Sequence, residues 1–191
     1  MRLLAARLVE RGASDAVEVV TTFEPGGTDL GRRVRALLLD GDGPVDPAAE
    51  ALLMAADRAQ HVAEVIRPAL ERGVWVITDR FVPSSLAYQG IGRDLGVDRI
   101  EALSAWATGG LDPDLVVVLD VTDEVAAERV GAARDRMERA GAGFHTAVRA
   151  AYRDLAATRG WVVVDGRGDV TSVADAVWAA VVGRIGDPHT P

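Results

Sequence analysis

The sequence predicts an α/β fold with a parallel sheet of doubly wound type. Three observations carry this. Val74-Trp75-Val76-Ile77, Leu115-Val116-Val117-Val118-Leu119 and Trp161-Val162-Val163-Val164 are apolar, β-branched runs without polar alternation, as in strands buried on both faces. Segments of helical period separate them. The 191 residues, 49% hydrophobic, fit one domain with a sizeable core.

Along the chain, Leu3, Leu4, Leu8 and Val9 recur at helical spacing, with Gly12 as the stop. Val17 to Thr21 reads as a strand. Glu24-Pro25-Gly26-Gly27-Thr28 is a turn-forming loop, and Leu30, Val34, Leu37 and Leu38 mark the next helix. Asp46-Pro47 starts a long helix that runs to Arg72, stops at Gly73 and is kinked at Pro68. Further helices are expected over about 97–108, 122–132, 144–159 and 172–185. Residues 1–185 form a single domain in this reading, and 186–191 a flexible tail.

Composition narrows the chemistry. Net charge is −8, which repels polyanions and argues against nucleic-acid or anionic-membrane partners. There is no cysteine, so disulfides and thiolate chemistry are excluded. All 21 bases are arginine, which excludes a Schiff base and a Walker lysine within this sequence. His61, His145 and His189 are widely separated and do not suggest a zinc site. No apolar run approaches the ~20 residues of a membrane span, and no signal peptide is recognisable. The expectation is a cytoplasmic protein.

Ligands of open α/β sheets lie beyond the carboxyl ends of the strands. After Ile77 come Asp79, suited to Mg²⁺, and Arg80, suited to a phosphate. Ser84, Ser85, Tyr88 and Gln89 follow at a helix start; as an alternative, these residues form only an ion pair and helix caps. After Thr21, Gly26 and Gly27 allow backbone N–H groups to approach an anion, with Arg35 beside the apolar stripe of the next helix. Arg58 lies among alanines, where it can snorkel or bind. Arg129, Arg134, Arg136 and Arg139, flanked by Gly131, Gly141 and Gly143, suit either a mobile lid or a solvated helix face. Together these segments describe a site for an anionic, hydrogen-bonding small molecule such as a nucleoside monophosphate.

The ordered set of motifs resembles the bacterial thymidylate kinase family. It comprises Glu24-Pro25-Gly26-Gly27-Thr28, Leu37-Leu38-Leu39-Asp40, Ala56-Asp57-Arg58-Ala59-Gln60, Asp79-Arg80-Phe81 through Ala87-Tyr88-Gln89-Gly90, Asp112-Pro113-Asp114 into Leu119-Asp120-Val121-Thr122, and Asp135-Arg136-Met137-Glu138 before Phe144 and Arg149. The resemblance implies a P-loop NTPase-like nucleoside monophosphate kinase that uses ATP and Mg²⁺ to phosphorylate dTMP, and a homodimer. It implies that Arg80 and Arg35 hold the dTMP phosphate and that Asp79 lies near Mg²⁺. By the same resemblance Arg58 and Gln89 read thymine, and Ser84, Ser85 and Tyr88 line base and sugar. Pro25 falls beside the nucleotide, often after a cis peptide, and Arg134 and Arg136 fall in a lid over 131–143 on the ATP phosphates. Met54 occupies the place of a base-stacking aromatic, and Phe23 that of an arginine.

One departure is large. Such kinases begin with a central strand and a loop ending Gly-Lys-Ser/Thr, and this sequence has neither. The expectation is an internal start, with about 20 residues, one βα step, upstream, and low stability and activity for the 191 residues alone. The alternatives are a kinase of another nucleoside monophosphate and a non-catalytic dTMP-binding protein. A dinucleotide-binding dehydrogenase is disfavoured, since no Gly-x-Gly-x-x-Gly follows a strand.

Overall fold

The structure, a computed structural model, describes residues 1–11, 17–41, 43–130, 136–137 and 139–186, with backbone alone at 11, 127, 129 and 130. Gly12, Gly131, Arg134, Asp135, Glu138 and most of the tail therefore lie outside the described residues, as does the Arg129 side chain.

Helix α1 (Arg2–Arg11) precedes strand β1 (Val19–Phe23) and helix α2 (Asp29–Leu39). Helix α3 (Pro47–His61) continues through a π-helical turn, Val62–Ile66, into α4 (Arg67–Glu71). Strand β2 (Trp75–Asp79) leads to α5 (Val82–Ser85), a π-helical segment Leu86–Gly92, and α6 (Val97–Thr108). Strand β3 (Val117–Asp120), α7 (Asp123–Val130), α8 (Ala142–Arg159), β4 (Val162–Asp165) and α9 (Val170–Ile185) complete the order. The alternation is the expected α/β pattern.

Local chemistry accounts for the helix ends. Asp46 accepts from the N–H of Ala48 and Ala49 at 2.8 and 3.4 Å, with Pro47 at the first helical position. Asp169 caps α9 through the N–H of Thr171 and Ser172. Gly109 and Gly160 end α6 and α8 in the left-handed conformation. The long helix expected from Asp46 to Arg72 runs as α3, a π turn ahead of Pro68, and α4. Proline lacks the N–H for the i→i−4 bond, and the widened turn absorbs the mismatch.

Both strand pairings are parallel. β1 lies on β2 in register Val19 to Trp75 through Phe23 to Asp79. β3 lies on β4, Val117 to Val162 through Asp120 to Asp165. Among the described residues these are two separate two-stranded sheets. That overturns the expectation of strands buried on both faces: most strand residues are half-buried, and Leu119 and Val163 are 52% and 47% exposed. A two-stranded unit offers too little surface for helices to cover.

The main core instead joins helices to the start of the β2 loop. Val62, Ile66, Phe81, Leu86, Ile100, Val148 and Leu155 are its larger buried members. A smaller cluster of Val34, Leu38, Leu39 and Met137 seats the end of α2. No described helix is long and apolar enough to cross a membrane.

Candidate active site

The loops after β1 and β2 run side by side, tied by the N–H of Glu24 donating to the Asp79 carbonyl at 3.0 Å. Glu24–Pro25 is a cis peptide. Arg80, immediately after β2, adopts φ +69°, a strained conformation of the kind that collects at functional sites. The Thr78 hydroxyl donates to the Arg80 carbonyl at 2.9 Å and holds this turn.

Between these loops, α2 and α3 lies a cavity of about 190 Å³. Pro25, Arg35, Met54, Arg58, Ser84, Ser85, Tyr88 and Gln89 line it together with Arg80. Residues drawn from four separate stretches thus meet in one place. Asp79 and Arg136 are not part of the wall. Arg136 donates from Nε to the Leu38 carbonyl at 2.6 Å and from Nη2 to Glu50 at 3.3 Å. Arg134 lies outside the described residues.

A buried ionic network floors the cavity. Arg58 Nε donates to Glu24 Oε2 at 2.9 Å, its Nη2 to Ser85 Oγ at 3.0 Å and its Nη1 to Ser104 Oγ at 3.4 Å. Three of the five guanidinium N–H groups are thereby engaged. Its guanidinium carbon Cζ lies 5.5 Å from the Phe81 ring centroid. Glu24 Oε1 accepts from His61 Nδ1 at 2.9 Å, and His61 Nε2 lies 2.7 Å from Thr22 Oγ1.

The two glycines of the loop act differently from the expected anion cradle. The N–H of Gly26 donates to Asp57 Oδ1 at 2.9 Å, so the anion it meets belongs to the protein. A Cβ at Gly27 would stand 2.8 Å from the His61 ring, so that glycine permits close packing. Asp57 Oδ2 has no partner. Burial raises the Asp57 pKa above the ordinary carboxylate value, against the Gly26 hydrogen bond, which lowers it.

Cations and aromatics complete the wall. Arg35 Nη1 donates to the Pro25 carbonyl at 3.0 Å, and its guanidinium stands 6.0 Å from the Phe23 ring. The Arg80 guanidinium lies 5.1 Å from the Tyr88 ring centroid. Tyr152 donates to Ser84 Oγ at 2.7 Å; burial pushes its phenol up to about 12, opposed by Arg80 and the Ser84 bond.

A second cavity, about 280 Å³, opens at the carboxyl ends of β3 and β4, among Asp120, Thr122, Arg149, Arg153, Asp165 and Arg167. Hydrogen bonds from Arg153 hold the Asp120 carboxyl below the usual range, against partial burial and with help from Arg149. Those from Arg167 hold Asp165 at about 2.

Glu24, Glu50, His61, Ser104 and Met137 carry no site role in the sequence reading. Glu24 opens the Glu24-Pro25-Gly26-Gly27-Thr28 motif and His61 follows Arg58 by one helical turn, and these are the signals that could have singled them out.

Cavities of this chemistry, at strand ends of a parallel α/β framework, form a class that takes small anionic, hydrogen-bonding molecules. Comparison with known proteins narrows the class. A family model described as Thymidylate kinase matches residues 2–177. A thymidylate kinase of Leifsonia xyli subsp. xyli (strain CTCB07) is 49% identical over 171 residues, covering 87% of this chain and 81% of that one. One of Bifidobacterium longum (strain DJO10A) is 53% identical over 170 residues, covering 85% and 80%. One of Synechococcus sp. (strain JA-2-3B'a(2-13)) is 46% identical over 182 residues, covering 94% and 87%. The chain belongs to the thymidylate kinase family. Membership makes it a kinase-type transferase of nucleotide biosynthesis with a P-loop NTPase-like fold.

Proposed function

We propose that this chain takes dTMP in the first cavity and serves the transfer of the ATP γ-phosphoryl group to it, giving dTDP. The observation that carries this is the convergence of Arg35, Arg58, Arg80 and Gln89 on one cavity wall. Arg35 and Arg80 face the 5′-phosphate, Arg58 and Gln89 the base edge, and Met54 and Tyr88 the flat faces. An oxygen of the dTMP phosphate attacks the γ-phosphorus, the bond to the bridging oxygen breaks, and ADP departs. The attacking oxygen is already anionic, so the protein's task is positioning and charge neutralisation.

Asp79 ends β2 as an exposed carboxylate, and no group of three potential metal ligands occurs among the described residues. Such a lone acid fits Mg²⁺, which keeps waters and binds through one or two carboxylates plus substrate phosphates. Bound there, Mg²⁺ would neutralise donor-phosphate charge. The second cavity, with Arg149, Arg153 and Arg167, is our candidate for the donor side.

The phosphate-gripping loop of the donor site is a separate part of the proposal. The 191 residues hold no lysine. Among the described residues each of the four strands has a single strand neighbour, so each pair keeps open edges. The absent lysine and the open strand edges support a further strand, with its donor loop, supplied from outside this sequence. Without it, dTMP binding alone is the reading favoured by the missing lysine. Homodimeric assembly and a cytoplasmic location rest on family membership alone.

Calorimetry with dTMP, dCMP and ATP tests the reading on the 191-residue chain. We expect dTMP to bind, dCMP to bind at least tenfold more weakly, and ATP turnover to require the added strand and loop. Equal affinity for dTMP and dCMP, or no dTMP binding by a folded chain, sinks it.

A further inference from the structure

Glu50, in α3, is fully buried and has no role in the reaction described above. Its carboxylate receives four hydrogen bonds. Oε1 accepts from Gln89 Nε2 at 2.9 Å and from Arg93 Nε at 3.2 Å. Oε2 accepts from Arg93 Nη2 at 3.1 Å and from Arg136 Nη2 at 3.3 Å. A carboxylate has about four lone-pair sites, so this one is saturated. Arg93 is itself fixed, with its guanidinium 4.5 Å from the Phe144 ring centroid.

The two ends of a glutamine amide are nearly isosteric but opposite in chemistry. Reversing Gln89 would set its carbonyl oxygen against Glu50 and leave both acceptors unpaired in a buried place, which is costly. Gln89 is 1% exposed and lines the first cavity. With its NH₂ end on Glu50, the end available to a ligand is the carbonyl oxygen.

We propose that Glu50 is a positioning residue for base selection: it locks the Gln89 amide so that the cavity presents an acceptor. The ligand must then offer an N–H at that edge. The imide N3–H of thymine or uracil does so, whereas N3 of cytosine is an acceptor and meets the Gln89 oxygen lone pair to lone pair. This rests on the reading of the first cavity as the base site.

The test is calorimetry with dTMP and dCMP on wild type, Q89A and E50Q. The amide that E50Q introduces can donate as well as accept, so both orientations of the Gln89 amide become available. The expected result in E50Q is a dTMP-to-dCMP affinity ratio lowered about tenfold or more, with dCMP binding tighter than in wild type. A purely structural role would weaken both ligands alike and leave the ratio unchanged, and that result overturns the proposal. Q89A separates the two levels. Unchanged dTMP binding in Q89A defeats the base-site reading itself, whereas a loss in Q89A with an unchanged ratio in E50Q defeats the role of Glu50 alone. Should E50Q not fold, wild type carries the test by NMR. The Gln89 side-chain NH₂ signal, assigned by its loss in Q89A, is expected to resist hydrogen exchange with and without dTMP. Exchange at the rate of a free amide overturns the proposal.

Discussion

Glu24 Oε2 and Arg58 Nε meet at 2.9 Å with both side chains 3% exposed. The pair joins the loop after β1 to the last turn of α3, 34 residues apart in sequence, and fixes the guanidinium that faces the cavity. Its hydrogen bonds to Ser85 and Ser104 extend the same tie to α5 and α6. One buried ion pair and the hydrogen bonds that extend it thus tie the loop after β1 to α3, α5 and α6.

Glu24→Ala removes the acceptor for both Arg58 and His61. An uncompensated buried charge costs about 3–5 kcal/mol, a large share of the ~5–15 kcal/mol of a typical domain. The urea unfolding midpoint should fall accordingly, and dTMP affinity with it, because Arg58 loses its orientation. A midpoint within experimental error of wild type would show that the pair contributes nothing to folding.

The sequence made the framework legible where local chemistry decides. Asp46-Pro47 starts α3, and Val97–Thr108 is the helix its periodicity predicts. Pro25, Arg58, Arg80, Ser84, Ser85, Tyr88 and Gln89 of the cavity wall were legible because they sit in recognisable short motifs. Strand burial was not, because Leu119 is apolar whether or not a neighbour covers it; only the pairing reveals its exposure. Glu50 was silent for a related reason. A buried acid on a helix or loop has the same local signature as a solvated one, and its partners, such as Arg136 to Glu50, come from 86 residues away. The π-helical segment that carries Gln89 has no composition signal of its own.

Gly31→Ala places a methyl group in occupied space. In an ordinary helix interior this change stabilises by about 1 kcal/mol. Here a Cβ would lie 2.4 Å from Asp57 Oδ1 and 3.0 Å from Thr28 Oγ1. Overpacking of this kind costs about 1–3 kcal/mol, and it also pushes Asp57 off the Gly26 N–H. We expect net destabilisation in denaturant titrations, and a smaller loss when the change is made in a D57A background. Equal losses in both backgrounds would mean that Asp57 is not what the methyl group meets.

Asp57→Asn should change how stability depends on pH. Burial raises the folded-state pKa of Asp57 above its unfolded value of about 3.8. The folded state then holds the proton more tightly than the unfolded chain. By linkage, this contribution is fully present below the unfolded pKa and is lost as pH rises through the folded one. Above that window the native protein carries a buried carboxylate with one oxygen unpartnered. Asparagine keeps an oxygen for the Gly26 N–H and never ionises. Unfolding free energies measured from pH 3 upward should therefore show D57N gaining on wild type through the acid range, with the difference levelling off once Asp57 is ionised in the folded protein. A difference that stays flat, or shrinks as pH rises, would mean that Asp57 ionises in the folded protein at no extra cost.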